Sequence, residues 1–158
     1  MNIFYLHLDP KKAAQMQCDR HVVKMVLESA QMLSTAHRLL DNADNDLLYR
    51  ATHKNHPSTK WVRESRHNYQ WLYSHFLSLG IEYNLRYGKI HASIDKLKSI
   101  LKNPPQLISD TPFSEPPLCM PSEYKQDDVV ESYRAYYKQD KASFATWKEP
   151  AVVPDWWE

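Results

Sequence analysis

The sequence predicts an all-α fold, and three observations predict it. Only two of the 158 residues are glycine, whereas Ala, Leu, Lys, Glu and Gln, which lose little on entering a helix, are common. Apolar residues recur at three- and four-residue intervals along several stretches. The chain is long enough to bury a real core without disulfide support, so the expectation is one domain over residues 1–158. Within it we expect a bundle of three to five helices and a long, ordered, Pro-rich loop.

The N-terminal segment NIFYLHL is apolar with partial alternation, and reads as a short extended arm or edge strand laid over the helices. Asp9 and Pro10 form an N-cap and first-turn pair that starts one or two turns of helix. The chain is organised around the next stretch, Gln17 to Leu40. On a helical projection Val22, Val26, Leu27, Ala30, Leu33 and Leu40 fall on one side, and His21, Lys24, Glu28, Gln31 and Thr35 fall within roughly 80° on the other. Such a polar stripe is either a solvated face or a site. His21, Lys24 and Glu28 place an imidazole, an amine and a carboxylate on successive turns, a set able to move protons, with Asp19 expected as the N-cap just before them.

DNADND at 41–46 ends that helix in an acidic turn. His53, Asn55 and His56 precede Pro57, which biases His56 toward extended backbone. Ser58 or Thr59 is then expected to cap one long helix running to Gly88, with Gly80 as a site for a kink. Lys60, Arg63 and Arg66 lie near its start, where free N–H groups favour anions. These cations, with His53, Asn55 and His56, read as phosphate contacts, or else as a loop whose histidines bond only the backbone.

Lys89 to Leu101 reads as an amphipathic helix burying Ile90, Ile94, Leu97 and Leu101. Residues 103–122 hold six prolines among Leu107, Ile108, Phe113 and Leu118, so an ordered loop across the surface is expected. Asp127 or Asp128 should cap a last helix bearing Val130, Tyr133, Tyr136 and Tyr137. The tail is extended and aromatic; Trp156 and Trp157 suit the core, although a partner contact or a base-stacking platform would also use them.

Net charge is only +1, but its distribution is uneven: residues 1–49 carry −1, 50–102 carry +7 and 103–158 carry −5. A polyanionic partner accounts for that asymmetry, as does a basic segment packed against an acidic one. Two cysteines without a CxxC pair, and no N-terminal apolar run that resembles a signal peptide or a membrane span, favour a reduced, cytoplasmic setting without membrane contact. GxGxxG, P-loop and GxSxG motifs are absent. Cys18, His21, His53 and His56 are metal-ligand types, but their spacing matches no zinc pattern, so neither metal nor cofactor is expected.

The segment Asp19-Arg20-His21-Val22, followed by Glu28, resembles the pattern of the phage pyrimidine-dimer DNA glycosylases, the endonuclease V family, in which an Asp-x-His-Leu element precedes a catalytic glutamate by the same interval. Asn55-His56-Pro57 and Arg86-Tyr87-Gly88 are similar to NHP and RGY segments in bacterial members of the wider group. The resemblance implies an all-α enzyme in which the N-terminal α-amine attacks C1′ of the damaged nucleotide and forms an imine. The glutamate then stabilises the cation and assists β-elimination. An α-amine, with a reference pKa near 7.7–8.0, is nucleophilic at neutral pH without special burial. On this resemblance Glu28 takes the glutamate's role and His21 orients DNA or sugar.

The family has a small residue after the initiator, whereas Asn2 follows Met1 here, and methionine is poorly removed before asparagine. The amine then belongs to Met1 itself or to Lys24. The expected function is a glycosylase with AP-lyase activity on damaged pyrimidines, a monomer acting on double-stranded DNA. A phage-type enzyme modifying a pyrimidine base, and a noncatalytic nucleic-acid-binding module, are the alternatives.

Overall fold

The computed structural model describes all 158 residues and contains six α-helices and no strand. They are α1 (Pro10–Met16), α2 (Asp19–Leu40), α3 (Pro57–Glu64), α4 (Arg66–Tyr87), α5 (Ala92–Leu101) and α6 (Val129–Asp140), with a 3₁₀ turn at Ser122–Tyr124. The count exceeds the expected three to five because the helix foreseen from Ser58 to Gly88 is two helices. Its break lies at Ser65, whose extended backbone (φ −150°, ψ 139°) ends α3 while its hydroxyl caps α4 by accepting from the His67 N–H. The helix α4 runs without a break through Gly80. A Cβ there would meet the Ile94 side chain at 2.5 Å, so glycine lets α5 approach α4 closely.

Helix ends follow local chemistry. Asp9 caps α1 by accepting from the Lys11 and Lys12 N–H groups, and Asp128 caps α6 by accepting from Glu131. The cap of α3 is His56 rather than Ser58 or Thr59: its ring Nδ1 accepts from the Ser58 N–H, with Pro57 in the first turn. His91 caps α5 in the same way, which leaves Ile90 outside the helix and 67% exposed instead of buried. The N-cap of α2 is Cys18, so Asp19 is freed for another contact.

The long helices α2 and α4 pack on each other, with α1, α3 and α5 against both or one of them. One hydrophobic cluster gathers Val22, Val26, Leu33, Leu72, Phe76, Leu79, Leu97, Leu101, Tyr133 and Tyr137 with Ile3 to Leu6 of the N-terminal arm. The arm is a buried, irregular strap. Gln17 donates to the Ile3 carbonyl, Arg134 to that of Leu6 and Trp71 to that of Leu8. The Pro-rich segment is likewise ordered: Trp61 donates to Ser114 O, Arg66 N–H to Ser109 O, and Asn68 exchanges hydrogen bonds with Ser114. Of Leu107, Ile108, Phe113 and Leu118 only Ile108 is buried; Leu107 is 74% exposed. Trp147, Trp156 and Trp157 pack on the core, Trp147 donating to Met16 O. No helix is long and apolar enough to cross a membrane.

Candidate functional site

Glu28 lies midway along α2, on the face left polar by the sequence pattern. That face is covered rather than wet: His21, Glu28 and Thr35 are buried. What covers it is the chain's own N-terminus and the 51–57 loop. The Met1 α-amine stands 3.6 Å from Glu28 Oε1, and Lys24 Nζ stands 3.6 Å from Oε2, so one carboxylate faces two amines. The Lys24 side chain is 65% exposed, whereas that of Glu28 is 11% exposed.

Met1 is held there by its neighbours. Its side chain is buried, so the surface it shows to solvent is main chain. Asn2 Oδ1 accepts from the Ile3 and Phe4 N–H groups, and its Nδ2 donates to Cys119 O, tying the first peptides to the Pro-rich segment. Phe4 adopts a left-handed backbone (φ 56°), which costs a non-glycine residue about 1–2 kcal/mol. Burial of its ring and stacking on His21, 4.1 Å between centroids, offset that cost.

His21, expected at the reacting sugar, sits in the core at 5% exposure. The Tyr137 hydroxyl accepts from the Cys18 N–H, lies 3.5 Å from Cys18 Sγ and shares a hydrogen bond with His21 Nδ1, 2.6 Å away. Burial, and then the positive charges of Lys141, Lys24 and Arg20, hold the His21 pKa down at about 3, so the ring is neutral. The ring packs flat against Phe4 of the N-terminal arm.

The 51–57 loop closes the other flank of Glu28. The Thr52 N–H donates to Thr35 Oγ1, and Arg63 Nη2 donates to Lys54 O. His53 is exposed with φ 47°, its ring against Thr52 Oγ1. His56 has its pKa lowered, first by burial and then by the positive N-terminus and His53, with Glu28 opposing; it therefore shares the field of the Met1 and Glu28 pair. Asn55 and Lys60 line a groove of about 340 Å³ with Trp61, Glu64 and Glu115.

The structure thus brings Met1, Lys24 and Glu28 together, with His56 in the field of that group and His53 next to His56 on the exposed loop. It does not bring Arg63 and Arg66 with them as free cations. Arg63 is turned onto Thr59 O and Lys54 O, and Arg66 pairs with Asp110 at 3.5 Å. No three His, Cys, Asp or Glu side chains gather where they could hold a metal ion. Sequence reasoning missed Asn2, whose short amide readily bonds the backbone two residues on, and Phe4, whose backbone conformation no pattern announces.

Among known proteins, the family described as pyrimidine dimer DNA glycosylase matches residues 1–95, the part of the chain that carries Met1, Glu28 and the 51–57 loop. No curated protein and no solved structure matches.

Proposed function

The chain belongs to the pyrimidine dimer DNA glycosylase family, and we propose that it excises damaged pyrimidines from double-stranded DNA and then cleaves the abasic strand, with the Met1 α-amine as nucleophile and Glu28 as its partner. The observation that carries this reading is the buried carboxylate 3.6 Å from the chain's α-amine. In the first step the amine lone pair attacks C1′ and the base departs with the glycosidic electron pair. Opening of the C1′–O4′ bond then leaves an iminium, whose positive charge Glu28 faces at close range. Loss of a C2′ proton and expulsion of the 3′ phosphate complete the β-elimination.

The surroundings suit that sequence. Partial burial strengthens the interaction of Glu28 with a developing cation, and the anchored arm fixes the amine before substrate arrives. Lys24 is exposed on the other carboxylate oxygen, where a strand phosphate can reach it.

The test is reductive trapping. On ultraviolet-irradiated duplex, borohydride should yield a covalent adduct that maps to residue 1, and acetylating the N-terminus should abolish it, because only an imine is reduced to a stable amine. An adduct on Lys24 would move the nucleophile one side chain away; no adduct on any lesion would overturn the mechanism.

A further inference from the structure

Of the three cations nominated by sequence for DNA, Arg63 and Arg66 are engaged within the protein, which leaves only Lys60 exposed and unpaired. Another group is not so engaged. The Arg20 guanidinium lies 4.1 Å from the centre of the Phe144 ring and makes no ion pair or hydrogen bond, unlike those of Arg38, Arg86 and Arg134. Lys141 Nζ lies 4.4 Å from the Tyr136 ring centre and 5.8 Å from that of Phe4, and donates only to the Tyr136 hydroxyl. Both border one aromatic cluster, because Phe144 contacts the buried His21, His21 stacks on the buried Phe4 and Phe4 lies 6.3 Å from Tyr136.

We propose that Arg20 and Lys141, floored by Phe144 and Tyr136, form a phosphate-binding patch that carries a DNA strand toward Glu28 from the N-terminal end of α2. The inference rests on the DNA-directed reading above and adds residues that neither the family match nor the sequence pattern assigns. Residue 144 and Lys141 lie outside the matched segment. Along α2, Arg20 precedes Glu28 by about 12 Å and Lys24 lies between them, a span of three to four base steps.

Cation–π contact alone holds an exposed guanidinium by about 0.5–1 kcal/mol. It does not explain why Arg20, Lys24 and Lys141 crowd around one neutral imidazole, close enough that all three depress its protonation. Among the carboxylates near them, Glu28 pairs with Lys24, Asp19 is taken by Arg86 and Asp140 accepts from Tyr124. An arriving phosphate would neutralise the crowding, and the Arg20 guanidinium, placed over the Phe144 ring without a hydrogen bond to the protein, keeps its N–H groups free to receive it.

The experiment is anisotropy of the full chain with a labelled, undamaged duplex across a salt series. Arg20→Gln and Lys141→Gln should each make the slope of log K against log salt shallower by about 0.9, and the double variant by about 1.8. Arg20→Lys, which keeps the charge, should restore most of the slope. A folded double variant with the slope of the unaltered protein overturns the patch while leaving the enzyme reading intact. Should Arg20→Gln fail to fold, Lys141→Gln and Arg20→Lys decide alone. Absence of binding by the unaltered protein at low salt overturns the DNA-directed reading, and the patch with it.

Discussion

Helix α2 carries two charge clusters, and they are built in opposite ways. At its first residue Asp19 meets Arg86, which also pairs with Glu82. The guanidinium donates to Asp19, twice to Glu82, and to the Gln15 and Gln17 carbonyls, and its side chain is wholly buried. Asp19 in turn accepts from Thr146 and from the Lys148 N–H. Two turns further on, Glu28 faces the Met1 amine and Lys24 at 3.6 Å each, without a hydrogen bond to either. The first cluster is saturated and closes the fold, knitting α1, α2, α4 and the C-terminal segment. The second holds its charges near one another without spending their hydrogen-bonding capacity on the fold, which is what the proposed function would use.

The comparison can be broken by removing one member of each cluster. Arg86→Met strands the Asp19 and Glu82 carboxylates out of water, and loss of one partner of a buried pair costs about 3–5 kcal/mol. Urea unfolding should show that loss; a variant as stable as the parent would mean that the saturated cluster does not hold the fold. Glu28→Gln preserves shape and removes charge. Its stability should fall by less than that of the Arg86 variant, because the amide keeps the shape and neither amine is left with a broken hydrogen bond, while strand cleavage falls on the order of 10²-fold or more with duplex affinity retained. If cleavage persists, the open cluster is only a second structural pair.

Acid sharpens the contrast, because a neutral buried histidine lies beside each cluster. His75, beside Gln17, donates from Nδ1 to Pro10 O and accepts at Nε2, with its pKa pushed down by burial to about 4; that of His21 is about 3. Both values lie below the ordinary 6.5, so the unfolded chain binds more protons between them. Stability should therefore fall as pH drops from about 6.5 toward 4, with a slope approaching about 1.4 kcal/mol per pH unit for each histidine. His21→Asn should remove one histidine's share of that slope in unfolding titrations, and an unchanged slope would show that His21 titrates normally. The smallest effect belongs to Lys24→Gln. Its exposed pair is worth under about 1 kcal/mol, so stability hardly moves, and the borohydride adduct should still map to Met1.

Much of the helical scaffold was legible. Asp9 before Pro10, Asp128 before the tyrosine-bearing helix, and the apolar spacing of residues 22–40 each encode their element locally, because caps and periodicity act over a few residues. The proximity of Lys24 to Glu28 follows from four-residue spacing on a helix. Less visible was Ser65, where a side chain that caps the following helix ends one element and starts the next within a periodic stretch. Ile90 shows the same limit: its spacing suits the buried face, but the His91 cap starts α5 after it.

By itself, then, the sequence determined the all-α class, the helix on which Glu28 stands and the family pattern around it, since these reside in short-range spacing and side-chain type. Only the tertiary structure decided which charges are spent and which are free. Arg86 reaches residues about 70 positions away in the chain, Asn2 bonds Cys119, and Phe4 must take a left-handed turn over His21 before Met1 can meet Glu28. Such contacts are selected by the shared burial of distant segments, which gives them no local signature; that burial turns a polar stripe on a helix into an amine and a carboxylate held face to face.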